Sequence, residues 1–153
     1  MNILISACLL GINCRYDGKN NIIPHLNIIM SKFNLIPVCP EQLGGLPTPR
    51  HPSEISCEKH SCIFEENRVV KNIKGLDITC YFIKGAQEAL YIAKLYNCKK
   101  AILKSNSPSC GYKSIYDGTF SGRLVDGNGI LAEMLFNSGI EIYTEKNIDY
   151  FII

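Results

Sequence analysis

The chain has 153 residues, of which 46% are hydrophobic and 20% charged, with a formal net charge of +2. That length is enough to bury one core. The charge is too small to argue for a nucleic-acid or membrane partner, and no window approaches the roughly 18 apolar residues of a membrane span. A single domain over residues 1–153 is expected.

The first segment, Asn2 to Ser6 (NILIS), is a short apolar strand. The loop CLLGINCRYDGK follows it, and His25 to Phe33 then carries apolar residues at helical spacing just after Pro24. Leu35 to Val38 is a second strand running into CPEQLGGLPTPRHP, whose prolines and glycines predict a rigid irregular loop. Glu54 to Asn72 alternates loosely and predicts a β-hairpin or meander with a turn near Glu65–Asn67. Asp77 to Asn97 is a long amphipathic helix, with Ile78, Phe82, Ala86, Ala89, Leu90 and Ala93 on one stripe and Asp77 or Thr79 as its cap. Lys100 to Lys104 is a third strand, Gly129 to Asn137 a helix stopped by Gly139, and Ile140 to Tyr143 a fourth strand. The order predicts an α/β fold: a Rossmann-like domain with a mostly parallel short sheet, flanking helices and a hairpin insertion. Ligands of such sheets sit outside the carboxyl ends of the strands.

The eight cysteines are the unusual feature. Ile5-Ser6-Ala7-Cys8 imitates a lipidation site, but too few residues precede Cys8 and none is basic, so a secretory leader is not expected. A cytoplasmic chain is expected, and its thiols serve metals, catalysis or the core rather than disulfides. Cys8 follows the first strand, Cys39 the second, and Cys110 lies in the loop after the third, so all three thiols fall at one sheet edge. Cys14 shares the first loop. No CxxC pair is present, so neither a zinc ribbon nor a bacterial ferredoxin pattern is written in the spacing. Glu41 stands two residues from Cys39, and Ser107 three residues before Cys110. A carboxylate beside a metal with an open position can move protons or activate water; equally, Glu41 can be a loop residue and Ser107 a turn cap.

Other constellations are weaker. Cys8 to Arg15 has one residue more than the phosphate loop of cysteine phosphatases. Tyr16-Asp17-Gly18 recurs as Tyr116-Asp117-Gly118, which reads as two turns, although Asp17 lies close to two thiols and is a candidate. Cys57, His60 and Cys62 lack a clear fourth zinc ligand. Arg50 can hold an anion or be a solvated loop residue.

The stretches ISACLLGINCRYDG, PVCPEQLGGLPTPR, GLDITCYFIKGA, LKSNSPSCG and IYDGTFSG, in this order, resemble a family of small bacterial proteins that includes thiouracil desulfurase, formerly a domain of unknown function. The resemblance covers roughly residues 1 to 143. It implies a [4Fe–4S] cluster held by three protein ligands, leaving one open iron: Cys8, Cys39 and Cys110, with Cys14 as the alternative to Cys8. It implies Glu41 as the catalytic carboxylate and Ser107 as the catalytic serine, with Arg50, Asp17 and Ser109 expected at the substrate. The implied activity is non-redox hydrolysis of a C–S bond in a thiolated nucleobase or nucleoside, such as 2-thiouracil, with release of hydrosulfide. Ser105-Asn106 departs from many relatives, which carry a charged residue there. Two readings from other classes use the same residues: a metal-free sulfur carrier with a persulfide on Cys110, and a non-catalytic metal-binding module.

Overall fold

A computed structural model of the chain describes residues 1–56 and 68–153. Its centre is a four-stranded sheet of β1 (Asn2–Ser6), β2 (Asn34–Val38), β5 (Lys100–Leu103) and β8 (Glu141–Thr144), in the order β2-β1-β5-β8. All its pairings are parallel. The expected α/β architecture with flanking helices and a hairpin is therefore what the chain adopts, and this sheet is wholly parallel.

The strands read as apolar runs because both faces are covered. Ile3, Ile5 and Ile102 point to one face, where Ile29 of α1 (Leu26–Lys32) and Ile148 and Phe151 of the C-terminal 3-10 segment Glu145–Phe151 pack on them. Leu4, Ala101 and Leu103 point to the other, against α3 (Thr79–Leu95) and α4 (Ile130–Asn137). Each fully buried side chain of this size contributes about 1.5–3 kcal/mol over its exposed state. Along α3 the small residues Gly85, Ala86, Ala89 and Ala93 are buried, so the helix lies close to the sheet and to α4.

Two antiparallel hairpins flank the main sheet. β3 (Ser53–Ser56) pairs with β4 (Val69–Asn72), as expected, while the expected turn near Glu65–Asn67 lies outside the described residues. β6 (Ser114–Tyr116) and β7 (Leu124–Asp126) form a second hairpin that the sequence pattern did not announce. The loop after β2 also contains more order than expected: Pro40–Leu43 is one helical turn, α2, with Pro40 at its first position. The N-cap of α3 is Ile78, and neither expected side chain fills that position; Asp77 Oδ1 nevertheless accepts the amide and hydroxyl of Thr79 at 2.9 and 2.6 Å.

The chain reaches β2 on one side of β1 and β5 on the other, so a crevice opens at the carboxyl end of β1, where the strand order changes direction. Lys104 N–H donates to Ser6 Oγ at 2.9 Å and ties the ends of β5 and β1 together there. No helix among the described residues is long and apolar enough to cross a membrane.

Candidate active site

A cavity of about 480 Å³ occupies this crevice. Its wall includes Cys8, Cys14, Cys39 and Cys110, together with Glu41, Arg50 and Ser107. Four loops meet in it. Cys8 sits in the 3-10 turn Ala7–Leu10 that continues β1, and the loop it opens folds back so that Asn21 N–H donates to Cys8 O at 2.9 Å. This return brings Cys14 under the cavity. Cys39 ends β2 and precedes α2, whose first turn carries Glu41.

Two glycines fix α2 against α3. A Cβ on Gly85 would lie 1.7 Å from Pro40 O, and one on Gly44 would lie 2.0 Å from Tyr81 O. The two backbones touch where any larger residue would separate them, which sets the height of Glu41 in the wall. The Ser107–Cys110 loop is held from behind by α4. Ile130 N–H donates to Pro108 O at 3.0 Å and Leu131 N–H to Ser109 O at 2.8 Å. Gly129 comes so close that a Cβ would sit 2.5 Å from the Ser109 carbonyl.

Three of the cavity thiols have raised pKa values. Cys14 hydrogen-bonds both Cys39 and Cys8: the bond with Cys39 pulls its pKa down, but the bond with Cys8, burial and nearby negative charge outweigh it, and it is pushed up to about 11. Cys39 is raised chiefly by the bond with Cys14, then by burial and by Glu41. Burial, reinforced by Glu41, pushes Cys110 up to about 12 against hydrogen bonds from Ser6 and Ser109. Among the described residues, no three His, Cys, Asp or Glu side chains stand close enough together to hold a metal ion as they are placed.

Glu41 is tied on both oxygens. Oε1 accepts from Ser109 Oγ at 2.7 Å; Oε2 stands 3.6 Å from Cys39 Sγ and 4.0 Å from Arg50 Nη2. Arg50 follows the cis Thr48–Pro49 bond and also donates to Cys14 O at 2.9 Å and Thr48 Oγ1 at 3.1 Å. It lies in the wall between the first loop and α2. Ser107 Oγ accepts the backbone amides of Ser109 and Cys110 at 3.2 and 3.1 Å and lies 3.1 Å from Ser109 Oγ. Ser107 thus caps its own turn and also faces the cavity, so both of its sequence readings describe it. Opposite, Lys104 Nζ donates to Glu145 Oε1 at 2.6 Å. Burial would raise Glu145, but Lys104 and Ser105 outweigh it and hold it below the usual carboxylate range.

Two residues expected at the substrate do not line the cavity. Ser109 is 0% exposed and is absent from the cavity wall, because the start of α4 closes over it. Asp17 also lies outside the wall; it accepts the Lys19 amide at 3.0 Å and pairs with Arg15 at 3.2 Å, which is turn chemistry. Asn106, marked in the sequence only as part of a departure from relatives and not named among the site residues, lines the cavity with a left-handed backbone (φ 63°). Its Oδ1 is the one buried side-chain oxygen without a hydrogen-bond partner among the described residues. Its position directly before Ser107 was the available signal. Cys57, His60 and Cys62 lie outside the described residues.

The family model described as 2-thiouracil desulfurase matches residues 3–147. The chain belongs to this family. It is 37% identical over 147 residues to the uncharacterized protein YbbK of Bacillus subtilis (strain 168), covering 96% of this chain and 97% of the relative. A solved structure described as the [4Fe-4S]-dependent thiouracil desulfidase TudS superposes with a TM-score of 0.86 at 36% identity, covering 98% of this chain and 94% of the other. The family match takes in every loop of the cavity.

Proposed function

We propose that the chain is a cytoplasmic [4Fe–4S]-dependent desulfidase that hydrolyses the C–S bond of a thiolated nucleobase such as 2-thiouracil. The observation that carries this reading is the gathering of four thiols and the Glu41 carboxylate around a cavity at the switch point of the sheet. The residues fit the cluster by their chemistry. The donors are soft thiols, as iron–sulfur clusters require, and they line a space of about 480 Å³. Cys8, Cys39 and Cys110 come from the ends of three adjacent strands and are the proposed ligands, with Cys14 as the alternative to Cys8. When bound, the cluster supplies a soft Lewis-acidic iron at its open position, which suits a thiocarbonyl sulfur.

The protein supplies the rest. Glu41 takes a proton from the water that attacks the ring carbon and later returns a proton. The Ser107 hydroxyl donates to charge that develops on the substrate. Arg50, fixed by Cys14 O and Thr48, holds the Glu41 carboxylate in place. Asn106 Oδ1 offers an acceptor whose natural complement is a ring N–H. Thiocarbonyl and water give carbonyl and hydrosulfide, with no electrons exchanged.

A persulfide carrier needs an exposed thiol of low pKa; Cys110 is buried and pushed up to about 12. The deciding experiment is iron and acid-labile sulfide on protein purified without oxygen, followed by sulfide and uracil production from 2-thiouracil. About four irons per chain and equal amounts of the two products are expected. Iron-free protein that resists reconstitution overturns the cluster, and a loaded but inert protein supports a binding module instead.

A further inference from the structure

The two side chains proposed above to do the chemistry do not touch in any hydrogen bond of the structure. Glu41 rises from α2 and Ser107 opens the loop after β5. Between them stands Ser109, fully buried, with Oγ 2.7 Å from Glu41 Oε1 and 3.1 Å from Ser107 Oγ.

The direction of the hydrogens follows from counting donors. A hydroxyl has one proton and two lone pairs. Ser107 Oγ already accepts two backbone amides, from Ser109 and Cys110, so toward Ser109 it donates. Ser109 has one proton and two acceptors within reach: Glu41 Oε1 at 2.7 Å and Cys110 Sγ at 3.5 Å. A carboxylate oxygen at the shorter distance is much the stronger acceptor. The chain therefore runs Ser107 O–H to Ser109 Oγ, and Ser109 O–H to Glu41 Oε1. Glu41 Oε2 remains on the side of Cys39 and Arg50.

We propose that Ser109 is a positioning residue that couples Glu41 to Ser107 through a buried two-hydroxyl chain. This rests on the desulfidase reading and deepens it. Ser109 keeps its own proton throughout: its hydroxyl aims Glu41 by donating to Oε1, and its oxygen holds the Ser107 proton until that hydroxyl turns to a bound substrate. No bond is made or broken at Ser109. Ser109 itself never meets the substrate. Its backbone is locked by α4, so removing its hydroxyl leaves the loop in place.

The test uses the wild-type holoenzyme, Ser109→Ala and Ser109→Thr. Sulfide release by the wild type comes first: its absence defeats the desulfidase reading itself and, with it, this proposal. Given an active wild type, Ser109→Ala is expected to keep its iron content and its equilibrium affinity for uracil while kcat falls at least tenfold at unchanged KM. Ser109→Thr is expected to recover most of that loss. Ser109→Ala with wild-type kcat, or with a loss wholly in KM or in iron, overturns the proposal. Should neither variant fold, Ser109→Gly decides in their place: it is expected to keep its iron content and lose kcat at least tenfold at unchanged KM, and wild-type kcat overturns the proposal.

Discussion

The described cysteines divide into two groups that a composition count treats alike. Cys8, Cys14, Cys39 and Cys110 lie where strands end, and they meet each other, a carboxylate and an arginine. Cys80 lies in α3 and Cys98 just beyond it. Cys80 is exposed in its first turn, and Cys98 is buried just past its end, among apolar side chains. Cys98 has a raised pKa too, and burial is the cause. Cys14 and Cys39 are raised first through hydrogen bonds with other thiols. Burial alone raises Cys98, whereas at Cys14, Cys39 and Cys110 burial is joined by neighbouring thiols or by the Glu41 charge. The difference is one of neighbours, and it does not show in the local spacing of any single cysteine.

Substitutions can break or sharpen this contrast. The largest effect is expected at Cys39. Cys39→Ser should lose most of the iron, and full iron content measured after reconstitution would remove Cys39 from the ligand set. Glu41→Ala comes next: kcat should fall by about 10²-fold or more, as for the loss of a positioned acid–base group, while the visible absorbance of the cluster persists. An active Glu41→Ala protein would end its role. Cys98→Ala should leave iron and turnover alone and cost about 1 kcal/mol in a denaturant titration, the ordinary price of a small core truncation. Cys80→Ser should change stability by less than about 0.5 kcal/mol and leave iron content at the wild-type value. Loss of iron in either variant would erase the division.

Much of the fold was legible in the sequence. The four strands of the parallel sheet and the helix over Thr79–Leu95 announce themselves because each is a run of apolar residues long enough to show its period. α2 is a single turn, inside a stretch of prolines and glycines that breaks any period. β6 and β7 have three residues each, too few for alternation to register. At the site, the strand-end rule gathered Cys8, Cys39 and Cys110 without knowledge of any contact. It could not say that the first loop doubles back and adds Cys14, which depends on the Asn21 and Ile23 amides closing onto Cys8 and Leu9. Nor could spacing distinguish Ser107 from Ser109. Both belong to SPSC, and only the approach of α4 buries the second and leaves the first facing the cavity.

The cavity's thiols are separated by most of the chain, and they meet because β2 and β5 flank β1 from opposite directions. No local segment brings more than Cys8 and Cys14 together, so an unfolded chain offers an iron–sulfur cluster no converged set of ligands. Loading must wait for long-range strand pairing, which is the slow part of assembling such a sheet. Since binding free energy gained only by the folded state adds to its stability, a loaded cluster would act as a clasp on the finished topology. The first loop, the end of β2 and the loop after β5 would then open together or not at all.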